Sequence, residues 1–194
     1  MEPISLGLIG GVALTEGVKF LYAQVGDLLK RWRDSRREKQ AENGIETLAI
    51  DTILPPVLGG QEISTEVSLN YIDANSSELA QLRSRLSNYA DDTLEVDPHD
   101  PELLTHIDDL RILLEDAFVR RLTFVGELNR PPSGIPIIRG EAKVRDATDV
   151  DIAGIEADVI DSNVAIEGTA DVQTARGGKI TGTRIGRIGN GSNS

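Results

Sequence analysis

Cysteine is absent from the 194 residues, and aromatic side chains make up only 4% of them. Without cysteine there is no disulfide, no thiolate metal ligand and no cysteine nucleophile, which suits a reducing cytosol. The scarcity of aromatic side chains argues against a large aromatic-lined ligand pocket. The apolar run at residues 4–15 is shorter than the roughly 20 residues that span a bilayer. It also lacks a preceding basic region, so we expect neither a transmembrane helix nor a signal peptide.

Acidic residues outnumber basic ones, 32 against 20, and the net charge is -12. Such a chain repels phosphate backbones, so we do not expect nucleic acid as a partner. The 39% of hydrophobic residues include many Leu and Ile in the first two thirds of the chain. We therefore expect a folded core there rather than global disorder.

The first long element is predicted to be an amphipathic helix over residues 3–40. From Leu14 onward, apolar residues recur at the spacing of one helix face. Gly7 and Gly11 form a Gly-x-x-x-Gly pattern, which fits close helix packing. Packing inside a helical bundle and a membrane or oligomer face are both left open for this surface. Its candidate residues are Gly7, Gly11, Leu14, Val18, Leu21 and Trp32.

Basic residues are concentrated toward the end of this helix, at Lys30, Arg31, Arg33, Arg36 and Arg37. A cation near an anionic lipid surface contributes about 1 kcal/mol, so these residues are a candidate lipid contact. Cations at the carboxyl end of a helix also complement its dipole. The sequence leaves both interpretations open.

Further helices are predicted in the rest of the first 130 residues. Residues 45–54 are interpreted as a short helix and residues 61–71 as a strand. Three or four helices would then form a bundle over residues 1–130. A Pro-rich linker is predicted at residues 131–136.

Two helix starts are predicted within this bundle. Asn75, with Glu78 three residues later, has the spacing of a capping box. Asp100 followed by proline predicts the start of a second, longer helix whose apolar side extends to Leu128.

No catalytic or metal-binding set is found in the sequence. His99 lies between Asp97 and Asp100, but the adjacent prolines favour a capped loop over a metal site. The neighbouring carboxylates of Asp108 and Asp109 are expected on a solvated face. Neither a Gly-x-Ser-x-Gly elbow nor a phosphate-binding glycine loop is present. We therefore expect a protein that is not an enzyme and needs no cofactor.

A repeat with a period of 14 residues occupies residues 137–189. Its motif is Ile-x-Gly, and its four copies supply the candidate β-stacking residues Ile138, Gly140, Ile152, Gly154, Ile166, Gly168, Ile180 and Gly182. A fixed period of apolar residues and turn-formers suggests stacked β-strand layers. Fourteen residues would accommodate two strands of about five residues and two turns.

Three interpretations of this repeat are left open. It is a self-contained β-solenoid that serves as a spacer, a segment that stacks between chains in an amyloid-like way, or an accidental periodicity in a disordered tail. The last layer has no capping sequence, and open strand edges recruit other chains. Residues 190–194 are expected to form a flexible tail.

Two segments resemble known families. The sequence EPISLGLIGG at residues 2–11, with the helices that follow, resembles bacterial Bell domains, which are analogues of the fungal HeLo membrane-targeting domains. The sequence VQTARGGKITG at residues 172–182 resembles a bacterial amyloid signalling motif. The resemblance implies a cell-death effector of bacterial immunity, whose tail is templated by an NLR-type receptor with a matching motif. It departs from the family in carrying four repeat units, where one short motif is usual.

The sequence as a whole predicts a segregated α+β chain: an N-terminal helical bundle with a long first helix, then a C-terminal β-solenoid-like repeat of four units. We expect a non-enzymatic, self-assembling homo-oligomer whose first helix targets membrane. It is expected in the cytoplasm, recruited to the inner face of an anionic membrane. The alternative is a structural or adaptor subunit in which the repeat is a rigid connector without membrane activity.

Overall fold

The protein is an α+β chain with a long helix near its N-terminus, and it divides into two compact units. The N-terminal unit comprises Met1–Gly134 and the C-terminal unit comprises Ile135–Ser194. The computed structural model describes residues 9–38, 47–128, 130–148, 152–161, 164–176 and 179–189. The predicted tail at residues 190–194 lies outside these ranges.

The N-terminal unit combines helices with one antiparallel hairpin. In chain order its elements are α1 (Gly11–Glu38), β1 (Thr47–Ile53), β2 (Glu62–Ser68), α2 (Leu69–Arg85), the short α3 (Ser87–Ala90) and α4 (Pro101–Phe118). The predicted helical bundle therefore also contains a two-stranded hairpin, of which only the second strand was predicted.

Helix α1 carries its apolar face into the core of the N-terminal unit. Leu14, Val18, Leu21 and Val25 have no exposed surface. They follow one another at three or four residues, the spacing that places side chains on one face of a helix. The helix packs against α2, α3 and α4. Burying a large aliphatic side chain contributes about 1.5–3 kcal/mol, so this face anchors α1 in the unit.

Gly17 lies in the middle of α1, where glycine costs about 1 kcal/mol relative to alanine. The reason for its presence is the buried ring of Phe124, which packs directly on the helix backbone. A Cβ at position 17 would overlap Cε1 and Cζ of that ring. The close approach of the ring thus requires the residue without a side chain.

We expect Gly17→Ala to destabilise the N-terminal unit by about 1–3 kcal/mol, because forcing atoms into a packed core costs that much. The loss should appear in chemical denaturation despite the better helix propensity of alanine. Gly10→Ala is the matched control, since a Cβ at Gly10 meets nothing within 4 Å. An unchanged or raised stability of Gly17→Ala would contradict the packing of Phe124 on α1.

Strand β1 corrects the helix predicted at residues 45–54. Its seven residues pair with β2 from Thr47 opposite Ser68 to Ile53 opposite Glu62. Ile50 is its buried residue, and Ile63 and Val67 are buried in β2. Strand β2 agrees with the strand predicted at residues 61–71. The sequence TLAIDTI is rich in β-branched residues, which favour strands, and the nearby β2 supplies a partner.

Helix α2 starts seven residues earlier than predicted. Its N-cap is Ser68, whose hydroxyl accepts a hydrogen bond from the backbone N–H of Tyr71 at 3.4 Å. Asn75 lies inside the helix and donates from Nδ2 to the carbonyl of Tyr71 at 2.8 Å. The capping box predicted at Asn75 is therefore wrong, because the chain turns directly from β2 into the helix.

Helix α4 starts where predicted, with the Asp100 carboxylate accepting from the backbone N–H groups of Glu102 (2.9 Å) and Leu103 (3.1 Å). It ends at Phe118 rather than near Leu128, because Val119 takes a left-handed conformation with φ 53°. Leu128 is 62% exposed. Its helical spacing from the residues of α4 was therefore coincidental.

A buried network of charges holds the segment after α4 against the helix. The Arg111 guanidinium donates to the Glu127 carboxylate at 2.6 and 2.7 Å and also pairs with Asp108. Burial by itself lowers the pKa of Arg111, but the carboxylates of Glu127 and Asp108 outweigh it and raise that pKa. Asp108, expected on a solvated face, is buried here.

Glu115 forms the second half of this network. Its carboxylate accepts from Arg121 at 3.0 Å, from Arg130 at 2.7 Å and from the backbone N–H of Leu122 at 2.8 Å. Within the predicted linker, Ser133 is buried and its hydroxyl donates to the carbonyl of Thr123. The first residues of that linker are thus packed into the N-terminal unit.

The C-terminal unit consists of four strands: β3 (Ile137–Thr148), β4 (Ile152–Asp161), β5 (Ala165–Arg176) and β6 (Ile180–Gly189). They form two parallel pairs, β3 with β5 and β4 with β6. Each 14-residue repeat unit therefore supplies one long strand and pairs with the unit after next. The prediction of two short strands in each unit is wrong, because the strands continue through the glycines instead of turning at them.

Candidate functional site

The apolar residues predicted on the first helix lie inside the N-terminal unit. Leu14, Val18 and Leu21 belong to its core. A Cβ at Gly11 would make ordinary contacts with Val96 and Pro98 of the same unit. This face was predicted either to pack inside the bundle or to meet a membrane or another copy. The contacts of its described residues are those of packing inside the unit. Gly7 lies outside the described residues.

Trp32 lies near the end of α1, where Arg36 links this helix to α2. Its ring is partly buried against the core, and the Arg36 guanidinium lies over it at 5.2 Å from the ring centroid. The same guanidinium pairs with Asp73 of α2 at 3.1 Å. These contacts hold Trp32 at the surface of the unit, with a cation on one side of its ring.

The predicted basic contact residues are exposed, but carboxylates lie among them. Arg31 pairs with Asp27 at 2.7 Å, and Arg37 lies 4.0 Å from Asp34. Arg33 donates to the carbonyl of Leu29, and Lys30 is exposed. Exposed pairs of this kind contribute about 0–1 kcal/mol, so the cations keep freedom to meet an anionic surface.

Arg36 and Arg37 also occupy the last turn of α1. At that end of the helix their charges complement the helix dipole. The second interpretation of the basic run therefore fits the structure as well, and the two are compatible.

The carboxylates around His99 are used by the backbone. Asp97 accepts a hydrogen bond from the N–H of His99 at 2.8 Å, and Asp100 caps α4. Both serve as turn and cap residues, as the capped-loop interpretation requires.

The stacking residues of the repeat are brought together by strand register. Ile138 lies opposite Ile166 and Gly140 opposite Gly168, each 28 residues further along the chain. Ile152 lies opposite Ile180 with the same offset. Gly154 and Gly182 lie two residues after these isoleucines, in β4 and β6. The register thus aligns alternate copies of the Ile-x-Gly motif.

At Gly168 the structure requires the glycine of the motif. A Cβ at this position of β5 would overlap the carbonyl oxygen of Gly182 and Oγ1 of Thr183 in β6. The backbones of β5 and β6 approach each other closely at this point, although the two strands belong to different sheets. Glycine therefore allows the sheets to meet, which is a known use of glycine inside strands.

The best-buried described residues of the repeat were missed in the sequence. Ile137 is 5% and Ala165 is 6% exposed, whereas the predicted Ile138 is 44% exposed. Neighbouring residues of a strand point to opposite faces, so only one of two adjacent isoleucines can be buried on a given side. The sequence pair Ile-Ile at 137–138 does not say which one. The backbone N–H of Ala165 also donates to the carbonyl of Pro136 at 2.8 Å, which fixes the start of β5 beside β3.

Each of the four strands pairs with a single neighbour among the described residues. The second edge of each strand therefore carries a row of backbone N–H and C=O groups without a strand partner in that part of the chain. Such an edge is a template for pairing with another strand. The candidate functional site consists of these four free edges. Two belong to β3 and β4, and the other two belong to β5 and β6.

Within the described residues, none of the helices combines the length and the apolar character that a bilayer-spanning segment needs. Comparisons of the chain with protein-family models, with curated proteins and with solved structures found no match in any of the three. The candidate site is consequently defined by its strand register and its chemistry.

Proposed function

We propose that the chain is a non-enzymatic, self-assembling effector whose C-terminal unit joins copies through the free edges of its strands. The observation that carries this proposal is the 28-residue register of two parallel strand pairs. Because the two strands of each pair repeat the same motif, the next copy of the chain offers a third strand of the same kind. Parallel, in-register stacking of like segments satisfies every backbone group along the stack.

We further propose that residues 137–189 form a two-turn β-solenoid. In this arrangement β3 and β4 make the first turn, and β5 and β6 make the second. The close approach of Gly168 to Gly182 supports it, because it joins the two sheets within one turn. A solenoid of two turns has little core of its own and gains stability from each further turn stacked on it.

The output of assembly is proposed to be membrane targeting by the N-terminal unit, in bacterial defence or cell-death signalling. The ground for this is the resemblance at residues 2–11 and 172–182, together with the exposed cations of α1. On the same ground, an NLR-type receptor with a matching motif is the proposed trigger, and the cytoplasm with the inner face of an anionic membrane the proposed location.

The burial of α1 limits how this output can occur. Removing five buried aliphatic residues from the core, at about 2 kcal/mol each, costs on the order of 10 kcal/mol. That is comparable to the whole stability of a typical domain. We therefore propose that α1 enters membrane only when lipid takes over the burial of its apolar face, and that the segment before α1 meets the bilayer first. The residues concerned are Leu14, Val18, Leu21, Val25 and Leu28.

A structural or adaptor role is the second candidate. The complete burial of the α1 face favours it, since a helix with this packing needs no other partner. In that case the C-terminal unit would assemble copies, and the N-terminal unit would remain folded and away from lipid.

Leakage of dye-filled vesicles separates the two candidates. Full-length protein, seeded to assemble, is added to vesicles of phosphatidylcholine and phosphatidylglycerol, with vesicles of phosphatidylcholine alone as the lipid control. We expect leakage of the anionic vesicles, and its loss when residues 2–8 are deleted, a change that leaves every described residue in place. Ile166→Asp should block both growth and leakage. Growth into filaments that leave the vesicles intact would instead support the adaptor role.

A further inference from the structure

An ion pair links β3 and β5, the two strands of one sheet of the C-terminal unit. Arg139 of β3 donates from Nε to the Glu167 carboxylate of β5 at 2.6 Å. Their side chains are 25% and 40% exposed, so the pair lies at the surface of the unit. The two residues lie opposite each other in the 28-residue register.

The same register pairs further residues of opposite charge. Lys143 of β3 lies opposite Asp171 of β5. Glu156 of β4 lies opposite Arg184 of β6. Wherever the register pairs two charged residues, their signs are opposite. Like charges directly opposite each other on neighbouring strands destabilise a sheet, and opposite charges stabilise it.

We propose that copies of the chain add head to tail with one polarity, and that these charges select the partner. This inference rests on the proposed self-assembly and specifies its geometry. In a parallel sheet the free edge of β5 accepts the free edge of β3 from the next copy. If the register continues, Glu167 meets Arg139 of that copy and Asp171 meets its Lys143. At the other sheet, Arg184 meets Glu156 of the next copy.

The charges would then alternate in sign without interruption along the whole stack. Each junction between copies repeats the pairing found within one copy, so the incoming chain is recognised by the register that folds it. A two-fold arrangement would join like edges in antiparallel fashion. It would lose this alternation and would end at a dimer. The charge pattern thus favours an open, polar stack of this chain.

The test uses the full chain with both residues of one pair exchanged, Arg139→Glu with Glu167→Arg. The exchange restores an opposite-charge pair within the variant and at each junction between variant copies. At a junction with the wild type it places two carboxylates, or two guanidinium groups, against each other. We expect the variant to grow from its own seeds as the wild type grows from its own. We expect cross-seeding in either direction to be slower by about tenfold, the size expected when an attractive exposed pair becomes a repulsive one.

Seeded elongation rates, measured with equal numbers of filament ends, distinguish a failure of the charge pairing from a failure of self-assembly. Cross-seeding as fast as self-seeding, or faster, would overturn the head-to-tail charge pairing while self-assembly stands. A wild type that does not elongate its own seeds would overturn the self-assembly itself. If the exchange at 139 and 167 prevents folding, Lys143→Asp with Asp171→Lys provides the same test at the second position, with the same criteria.

Discussion

Replacing Glu115 with alanine is expected to lower the free energy of unfolding of the N-terminal unit by about 3–5 kcal/mol, the cost of breaking a buried ion pair. The Glu115 carboxylate has no exposed surface and accepts from Arg121 and Arg130. Its removal leaves the Arg121 guanidinium, only 3% exposed, without this carboxylate. It also removes the acceptor of the Leu122 backbone N–H.

Chemical denaturation followed by circular dichroism measures this effect. Glu78→Ala is the matched control. It also replaces a glutamate with alanine, but Glu78 lies on the exposed face of α2. An exposed substitution of this kind stays within about 0.5 kcal/mol of the wild type. A loss below 1 kcal/mol for Glu115→Ala, similar to that of the control, would show that the network does not hold the segment after α4.

Substituting Gly168 with valine is expected to abolish growth from seeds. The new side chain would overlap the carbonyl of Gly182, which is backbone and has no rotamer through which to move away. Overpacking costs about 1–3 kcal/mol even in large cores. Among the described side chains of the C-terminal unit, only Ile137 and Ala165 are buried and could offset it. We therefore expect the strands β5 and β6 to separate and the stacking edge to be lost.

Two comparisons make this result specific. The N-terminal unit of Gly168→Val should melt as in the wild type, since the substitution lies in the other unit. Gly10→Val places the same side chain where a Cβ has open space, and it should grow from wild-type seeds at the normal rate. Normal elongation of Gly168→Val would mean that the close approach of β5 and β6 is not needed for assembly.

The sequence predicted those elements whose signals are local. The start of α4 follows from Asp100 and the proline after it, and the buried face of α1 follows from its spacing. Strand β1 was misread because a short apolar run does not distinguish helix from strand, and its partner β2 decides the matter from a distance. The buried pair of Arg111 and Glu127 was missed for the same reason. A charged residue is predicted to be exposed as long as the segment that covers it is not known.

The sequence predicted which residues form the candidate site, and the structure corrected how their strands are arranged. The period of 14 identifies which residues repeat, but it contains no information about which copies pair. The pairing of Ile138 with Ile166, rather than with Ile152, results from strands that span a whole repeat unit. The opposite charges of Arg139 and Glu167 become meaningful only once this offset is known, which is why the sequence alone did not reveal them.

The axial rise of assembled full-length protein, measured by electron cryomicroscopy, tests the stacking most directly. Neighbouring strands lie about 4.7–4.9 Å apart, and each copy contributes two strands to each sheet, so we expect a rise of about 9.5 Å per copy. A rise of about 4.8 Å or about 19 Å per copy would contradict the pairing of alternate repeat units. A particle that stays a monomer or a closed dimer in the presence of seeds would contradict open head-to-tail assembly.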